Sequence, residues 1–322
     1  MSNPNVLIVL PRLQVQNANA ISGPMTWGFP APSAFTGFIH ALQRKLVGDL
    51  ALKCLGVGIV CHKFDPQVTR LASKYAPQVF NLTRNPLTKE GTTAALVEEG
   101  RAHIEVSLII TARGRIDSDE LEYFVERITN IVFSQRLAGG TLLPQRPGKR
   151  YKTAIHLLSS SAQEVDTLFQ TIKRRLLPGF ALVQREDRLA AHLATLQQRD
   201  AQVNALDALL DLTRLNIEPD IPHPDNPALK KWGVRKEPGW LVPIPIGYAA
   251  ISPLYDAGKV LNARDEQTPF RFVECVYSLG EWISPHRLNS LHQMIWQERA
   301  NIEQGLYFCE NQYANSQLNV HL

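Results

Sequence analysis

The chain has 322 residues, of which 44% are hydrophobic and 20% are charged, proportions that are usual in a folded globular protein. Its net charge is +4, from 34 lysines and arginines against 30 acidic residues, a balance that argues against a protein held to nucleic acid by charge alone. No apolar run approaches the roughly 20 residues of a membrane span, and the N-terminus lacks the features of a signal peptide. We therefore expect a cytoplasmic protein without membrane association.

The residue types that hold metals and nucleotides lack the spacing that such sites need. Cys54, Cys61, Cys275 and Cys309 form no Cys-x-x-Cys pair, so we interpret them as reduced packing residues. The histidines stand without a second ligand at metal-binding spacing, unlike the ligands of a zinc site. The chain also has no glycine-rich phosphate loop of the kind that binds nucleotides. We expect neither a metal nor a cofactor.

The apolar pattern of residues 1–147 predicts an alternation of strands and helices. Period-two and helical spacings indicate six elements in the order β-α-β-β-α-β, at residues 6–13, 33–47, 55–64, 102–111, 118–132 and 135–144. Ser33 follows Pro32 and is the predicted N-cap of the first helix. This order predicts an α+β fold with a ferredoxin-like core, like that of an RNA-recognition motif.

Residues 65–101 separate the second and third predicted strands of this core. An insertion of this length at a hairpin position is expected to protrude from the core. Its segments 80–87 and 92–99 are predicted to pair as two arms with Lys89, Glu90 and Gly91 at the tip. A disordered loop is the alternative.

Residues 148–322 are predicted to form a helical and irregular half packed on the core. The apolar spacing predicts helices at residues 162–176, 186–199, 204–215, 268–282 and 284–302. A short strand is predicted at 178–183. Residues 240–250 carry two prolines in an apolar run, which favours an edge strand over a central one.

The segment from Gln16 to Phe38 is the first candidate site, because it is much longer than a strand-to-helix connection requires. Gln16, Asn17 and Asn19 offer amides that can read base edges, and Trp27 and Phe29 can stack on bases, as in single-stranded RNA sites. Backbone N–H groups from Ser33 onward can hold a phosphate. The alternative is that Trp27 and Phe29 anchor the loop to the core.

A second segment is expected to meet the first. In a ferredoxin-like fold, the Gly-rich loop before the fourth strand lies at the same edge of the sheet as the first strand-to-helix loop. Its bare backbone would complete the RNA site, together with arginines from this loop, the insertion and the third helix. The predicted RNA-binding residues are therefore Gln16, Asn17, Asn19, Trp27, Phe29, Ser33, Arg84, Arg136, Gly139, Gly140, Arg174 and Arg175.

Several long blocks of the chain resemble one known family. They include LPRLQVQNANAISGPMTWGFPAPSAFTGFIHALQRK, VGIVCHKF, VFNLTRNPL, RLAGG, RRLLPGFALV and GWLVPIPIGY, and they are similar to the Csy two subunits of the type I-F CRISPR surveillance (Csy, or Cascade) complex, within the wider Cas-five group of the RAMP superfamily. The resemblance implies a ferredoxin-like fold in which residues 65–101 are a thumb-like insertion, and a non-catalytic role in antiviral defence. It also implies binding of the 5′ handle of CRISPR RNA. The implied partners are the large Csy one subunit in a heterodimer, the backbone subunit, and target DNA through the assembled complex.

Two other functions stay open. Some Cas-five relatives cut repeat RNA, so His40 or His62, together with a lysine or tyrosine, is a candidate general acid and base of an endoribonuclease. A scaffold that contacts only protein is the other alternative. A group of apolar side chains near the C-terminus forms either a surface that binds a partner subunit or part of the core. Its members are Trp282, Leu288, Leu291, Ile295, Trp296 and Leu306.

Overall fold

The computed structural model describes residues 4–46, 52–70, 78–83, 87–219, 232–235 and 238–314. Within these ranges the chain forms five α-helices: α1 (Pro32–Lys45), α2 (Leu121–Phe133), α3 (Ala162–Arg175), α4 (Glu186–Gln197) and α5 (Ala205–Thr213). None of the described helices is long and apolar enough to cross a membrane.

The strands of the described residues are β1 (Val6–Asn19), β2 (Ile21–Gly23), β3 (Thr26–Trp27), β4 (Lys53–Pro66), β5 (Val68–Arg70), β6 (Gln78–Phe80), β7 (Leu82–Thr83), β8 (Val97–Glu98), β9 (Arg101–Arg113), β10 (Arg136–Leu137), β11 (Gly140–Leu142), β12 (Ala154–Leu157), β13 (Phe180–Gln184), β14 (Ile217–Pro219), β15 (Trp232–Val234), β16 (Leu241–Ala250), β17 (Val273–Ile283), β18 (Ile295–Asn301) and β19 (Leu306–Asn311). The protein is thus a mixed α/β protein whose main sheet is antiparallel, which confirms the predicted class at that level.

The first half of the sheet has the order β11-β1-β9-β4, with every neighbouring pair antiparallel. Helices α1 and α2 cover one face of these strands, where Phe35 and Phe124 join the buried strand residues in one core. Helix α3 covers part of the other face, where Phe169 packs with Leu7 and Val9. The strands of this region are therefore buried on both sides over much of their length.

The predicted N-cap of the first helix is wrong. Helix α1 has Ala31 as its N-cap and Pro32 in its first turn, so Ser33 already lies inside the helix. The reason is that proline has a helical φ and lacks an N–H that the first turn would leave unpaired, which makes it a favourable first helical residue.

The helices predicted at 268–282 and 284–302 are also wrong. Strand β17 occupies most of the first range, and two 3₁₀ turns followed by β18 occupy the second. Short apolar runs fit both the helical and the strand spacing. This segment is a strand because β17 pairs with β13 on one side and with β16 on the other. The prediction of a helical and irregular half holds only for α3, α4 and α5.

The strands after residue 179 extend the sheet from β4, and the strand β18 pairs with β4 as well. Their order is β4-β13-β17-β16-β19-β18, and β18 pairs with β4 again. Leu288, Leu291, Ile295 and Trp296 are buried inside this part of the protein. Their alternative assignment as a partner surface is therefore wrong, and they are core residues.

Strand β16 is an edge strand over part of its length only. It pairs with β17 from end to end, but with β19 only at Gly247, Tyr248 and Ala249. Pro243 and Pro245 lie outside that second pairing, where the missing proline N–H costs no ladder hydrogen bond. The prediction from the prolines is correct for the first half of the strand.

The insertion contains paired arms. Strand β5 pairs with β6, and β7 pairs with β8 through Leu82↔Glu98 and Thr83↔Val97. The backbone N–H of Thr88 donates to the Thr92 carbonyl oxygen at 2.8 Å across the turn between the arms. The predicted pairing of segments 80–87 and 92–99 is confirmed.

Candidate functional site

The end of β1 departs from regular pairing and carries three of the predicted residues. The pairing of β1 with β9 shifts between Leu10 and Leu13 and again between Val15 and Ala18. Asn17 lies in the second shift with a φ of 59°, a left-handed conformation that asparagine adopts more readily than most residues. β-Bulges of this kind re-aim side chains, and Gln16, Asn17 and Asn19 are all exposed.

The Gly-rich loop meets this end of β1. Strands β10 and β11 form a hairpin whose turn residues Ala138 and Gly139 have φ values of 49° and 74°. The N–H of Asn19 donates to the Ala138 carbonyl oxygen at 2.8 Å. A Cβ atom on Gly140 would lie 2.7 Å from the Gln16 carbonyl oxygen, so glycine is required there for the close approach. The structure therefore brings the two predicted segments together.

The amides of this region differ in what they contact. The Asn19 side chain donates to the Ile21 carbonyl oxygen at 2.7 Å and accepts from the Ile21 N–H at 3.1 Å, so it holds the turn into β2. The Asn17 side chain accepts from the Gln67 amide at 2.5 Å, and the Asn17 N–H donates to Nδ1 of His103 at 3.3 Å. Of the three predicted amides, Gln16 faces a groove most directly.

We name that groove the polar sheet groove. It has a volume of about 200 Å³ and is lined by Gln14, Gln16, Lys63, His103 and Glu105, among others. Leu13 and Val15 point into the core on the α1 side of the sheet, so the alternating side chains of Gln14 and Gln16 point to the opposite face.

The carboxylate of this groove is neutralised by two arginines. Glu105 forms ion pairs with Arg12 and Arg146, each at 2.7 Å. Partial burial alone would raise the pKa of Glu105, but the arginines outweigh it and hold the pKa below its ordinary value. The groove therefore does not present an uncompensated negative charge at Glu105.

A larger concavity of about 700 Å³ adjoins it, with Lys63 lining both. We name it the aromatic groove. Its walls come from distant parts of the chain, and its six aromatic residues are Trp27, Phe29, Phe64, Phe180, Trp240 and Trp282. None of the last four was predicted as an RNA-binding residue. The only sequence signal for Trp240 was the apolar run that it begins, and Trp282 lay in a segment predicted as helix.

Trp27 and Phe29 have different environments in this groove. Phe29 is half-buried, stacks on Phe35 with ring centroids 5.5 Å apart, and meets Trp282 edge-on at 4.9 Å. Trp27 is 51% exposed and meets Phe80 edge-on at 5.4 Å. Phe29 therefore anchors the loop to the core, while Trp27 keeps much of its ring surface open.

A third concavity, the basic pocket, is lined by Lys149, Arg150, Arg174 and Arg175 together with Leu177 and Pro178. Arg150 donates to the Leu177 carbonyl oxygen at 3.0 Å and Arg175 to the Lys149 carbonyl oxygen at 3.1 Å. These bonds tie residues 149–150 to residues 175–177 and hold two exposed guanidinium groups at the pocket. The predicted Arg174 and Arg175 thus lie in a cluster of four cations.

His62 joins the aromatic groove to the basic pocket. Its Nδ1–H donates to the Pro178 carbonyl oxygen at 2.7 Å, and its Nε2 lies 2.7 Å from the Ser107 hydroxyl. Because a carbonyl only accepts, Nδ1 carries the proton in the neutral ring and Nε2 accepts from Ser107. Burial lowers the pKa of His62 to about 4. The other candidate base, His40, lies on the exposed side of α1.

The remaining predicted residues are dispersed. Arg136 is exposed on the β10–β11 hairpin and donates to the Gly139 carbonyl oxygen at 3.4 Å. Ser33 lies in the first turn of α1, where its carbonyl accepts from the Thr36 hydroxyl at 3.3 Å. Arg84 lies outside the described residues. Within the described part of the chain, no group of three or more His, Cys, Asp or Glu residues is placed to hold a metal ion.

Comparison with known proteins places this architecture in a family. Residues 8–309 match the family model of the CRISPR-associated protein Cas_Csy2. The chain is also 48% identical over 314 residues to the CRISPR-associated protein Csy2 of Pseudomonas aeruginosa (strain UCBPP-PA14), with 95% of each chain covered. These matches confirm the resemblance to the Csy two subunits of type I-F systems. The chain belongs to the Csy2 family of CRISPR-associated proteins and is a component of a CRISPR system.

Proposed function

We propose that this chain is a non-catalytic, cytoplasmic subunit of the type I-F surveillance complex that binds the 5′ handle of CRISPR RNA. In this proposal it pairs with the large Csy one subunit, contacts the backbone subunit, and reaches target DNA only through the assembled complex. The strand order β11-β1-β9-β4 with α1 and α2 on one face supports a ferredoxin-like core of the RNA-binding type.

The observation that carries the proposal is that shared or hydrogen-bonded residues link the three concavities. The polar sheet groove offers amides and an imidazole, the aromatic groove offers ring faces, and the basic pocket offers four cations. Lys63 belongs to the first two, and His62 in the second bonds to Pro178 in the third. Polar, aromatic and cationic groups in linked concavities suit the binding of single-stranded RNA.

The environment of His62 argues against RNA cleavage by this residue. Both ring nitrogens have partners, and a pKa of about 4 keeps the ring neutral near pH 7, well below the range of an efficient general acid or base. An endoribonuclease built on His62 would have to break these bonds.

The test is RNA binding by the full-length chain, alone and assembled with the other subunits of its own CRISPR system. We expect tighter binding to RNA with the native handle than to RNA of the same length with a scrambled handle, and no cleavage of either. Equal affinity for both RNAs would contradict handle recognition. Cleavage that is lost in His62→Gln or His40→Gln would instead support the endoribonuclease.

A further inference from the structure

We infer that the aromatic groove holds one unstacked base of the bound RNA against Trp240, and that the neighbouring phosphate lies in the basic pocket. This inference rests on the proposed function and adds to it a base-binding subsite formed by the strands after residue 179. The residues that define it are Trp240, Phe180 and Trp282, with Arg150 and Arg175 for the phosphate.

Trp240 is exposed although its backbone is held by the sheet. Its carbonyl oxygen accepts from the Trp282 N–H at 3.0 Å, and the preceding Gly239 has a φ of 92°, which turns the chain at a position that favours glycine. Its ring meets Phe180 edge-on at 5.4 Å and is tilted against Trp282 at 6.3 Å. Even so, 56% of Trp240 is exposed, so the backbone holds an open indole at the rim of the groove.

The size of the groove and its aromatic walls suit a flat ring. A volume of about 700 Å³ lies within the range of small-molecule sites. Phe180 is also exposed, at 42%, and stands beside Trp240. Nucleobases stack on such side chains because every base has a π-face, whatever its sequence identity.

The charges around the aromatic groove favour a nucleotide over a protein side chain as the group bound there. Lys63 of the groove is paired with Asp65 at 3.4 Å, so the positive charge comes from the four cations of the basic pocket, to which His62 and Pro178 connect the groove. The nearby carboxylates of Glu105 and Glu281 are paired with Arg12 and Arg185 respectively. A base with its phosphate complements an aromatic slot beside exposed positive charge, whereas an apolar protein segment would use only the slot.

The probe is handle RNA that carries the fluorescent base 2-aminopurine at one position at a time, bound to the full-length chain in its assembled complex. We expect the fluorescence of one position to change strongly on binding to the wild-type protein. The Trp240→Ala variant should remove that change and weaken binding by roughly 5- to 150-fold, the range expected for loss of one base–aromatic stack. Trp240→Phe should retain most of the affinity, because it keeps an aromatic face.

Trp232→Ala is the matched control, since Trp232 is 65% exposed on strand β15 and does not line the groove. It should leave RNA binding and the 2-aminopurine signal unchanged. A folded Trp240→Ala protein, checked by thermal melting, that binds wild-type RNA normally would overturn the inference and leave the proposed function intact. Loss of a protein subunit from the complex, with RNA binding by the isolated chain unchanged, would also overturn it. Failure of the wild-type chain and complex to bind handle RNA would overturn the proposed function itself.

Discussion

At the scale of single residues, His62 combines a functional position with a structural role. It lies where the aromatic groove meets the basic pocket, yet its ring is fixed by the Pro178 carbonyl and the Ser107 hydroxyl. Ser107 in turn accepts from the Arg12 N–H at 2.9 Å. Protonation would place a donor at Nε2 and break the accepted hydrogen bond, so this network depends on a neutral imidazole.

This dependence predicts a loss of stability in mild acid. Burial lowers the pKa of His62 from 6.5 to about 4 in the folded chain, so the unfolded chain binds more protons between these values. The contribution of His62 is fully present above about pH 6.5 and is lost as the pH falls towards 4. We expect His62 to contribute about 2 kcal/mol to the difference in unfolding free energy between pH 7 and pH 5.

Urea unfolding of His62→Gln at both pH values checks this, because the variant should show a smaller difference between them. His40→Gln, which changes an exposed histidine on α1, should keep the wild-type difference. An unchanged pH difference in His62→Gln would show that the ring is not held neutral by its surroundings.

Trp27 carries a second prediction at this scale. Its ring is half-exposed at the opening of the aromatic groove and contacts Phe80 only at an edge. If the open face stacks on a base, Trp27→Ala should weaken handle binding by roughly 5- to 150-fold with little change in melting temperature. Normal affinity measured by fluorescence anisotropy for the folded variant would assign Trp27 to loop packing.

At the scale of elements, the contact between β1 and the β10–β11 hairpin depends on Gly140. A Cβ atom there would lie 2.7 Å from the Gln16 carbonyl oxygen and 2.8 Å from the Ala18 nitrogen, and backbone atoms cannot yield as a flexible side chain can. We expect Gly140→Ala to lower the free energy of unfolding by roughly 1–3 kcal/mol and to weaken handle binding.

Gly37→Ala is the matched control for this substitution. Gly37 is exposed in helix α1, and nothing lies within 4 Å of its added Cβ. The variant should be more stable by up to about 1 kcal/mol, since alanine is the better helix former. Equal effects of the two variants in urea unfolding would show that the hairpin tolerates a side chain at residue 140.

The basic pocket is expected to act through phosphates rather than bases. Arg174 and Arg175 are exposed, so Arg174→Ala should weaken binding of handle and scrambled RNA by the same factor. The slope of log affinity against log salt concentration should become shallower by roughly 0.7 for each phosphate that the variant no longer neutralises, the value for single strands. Arg115→Ala, which removes an exposed arginine outside the pocket, should leave the slope unchanged. An effect of Arg174→Ala on handle RNA alone would contradict a purely phosphate-binding role.

The elements differ in how well the sequence predicts them. The helices α1, α2 and α3 and the strands β4 and β9 have long, clear apolar periods, and the predicted segments overlap them closely. Strand β17 and the segment up to β18 have apolar residues at spacings that also suit a helix. Their strand structure comes from pairing with β13, β16 and β4, which are distant in sequence, so local patterns could not decide between the two.

In the whole molecule, part of the candidate site could likewise be predicted from local sequence patterns and part could not. The convergence of Gln16 with Gly140 followed from the expected strand order, and the structure shows these residues together. The aromatic groove combines Trp27 with Phe180, Trp240 and Trp282. These residues come together because the strands after residue 179 continue the sheet from β4 and the strand β18 pairs with β4 again. No local sequence pattern signals this pairing.

We propose that this Csy2 family chain binds the CRISPR RNA handle through linked polar, aromatic and basic concavities. The most direct test is the affinity of the full-length chain, alone and in its assembled complex, for native-handle and scrambled-handle RNA at several salt concentrations. We predict tighter binding to the native handle at every salt concentration, because base contacts add to phosphate contacts. Equal affinity for both RNAs, or no RNA binding by either form of the protein, would contradict the claim.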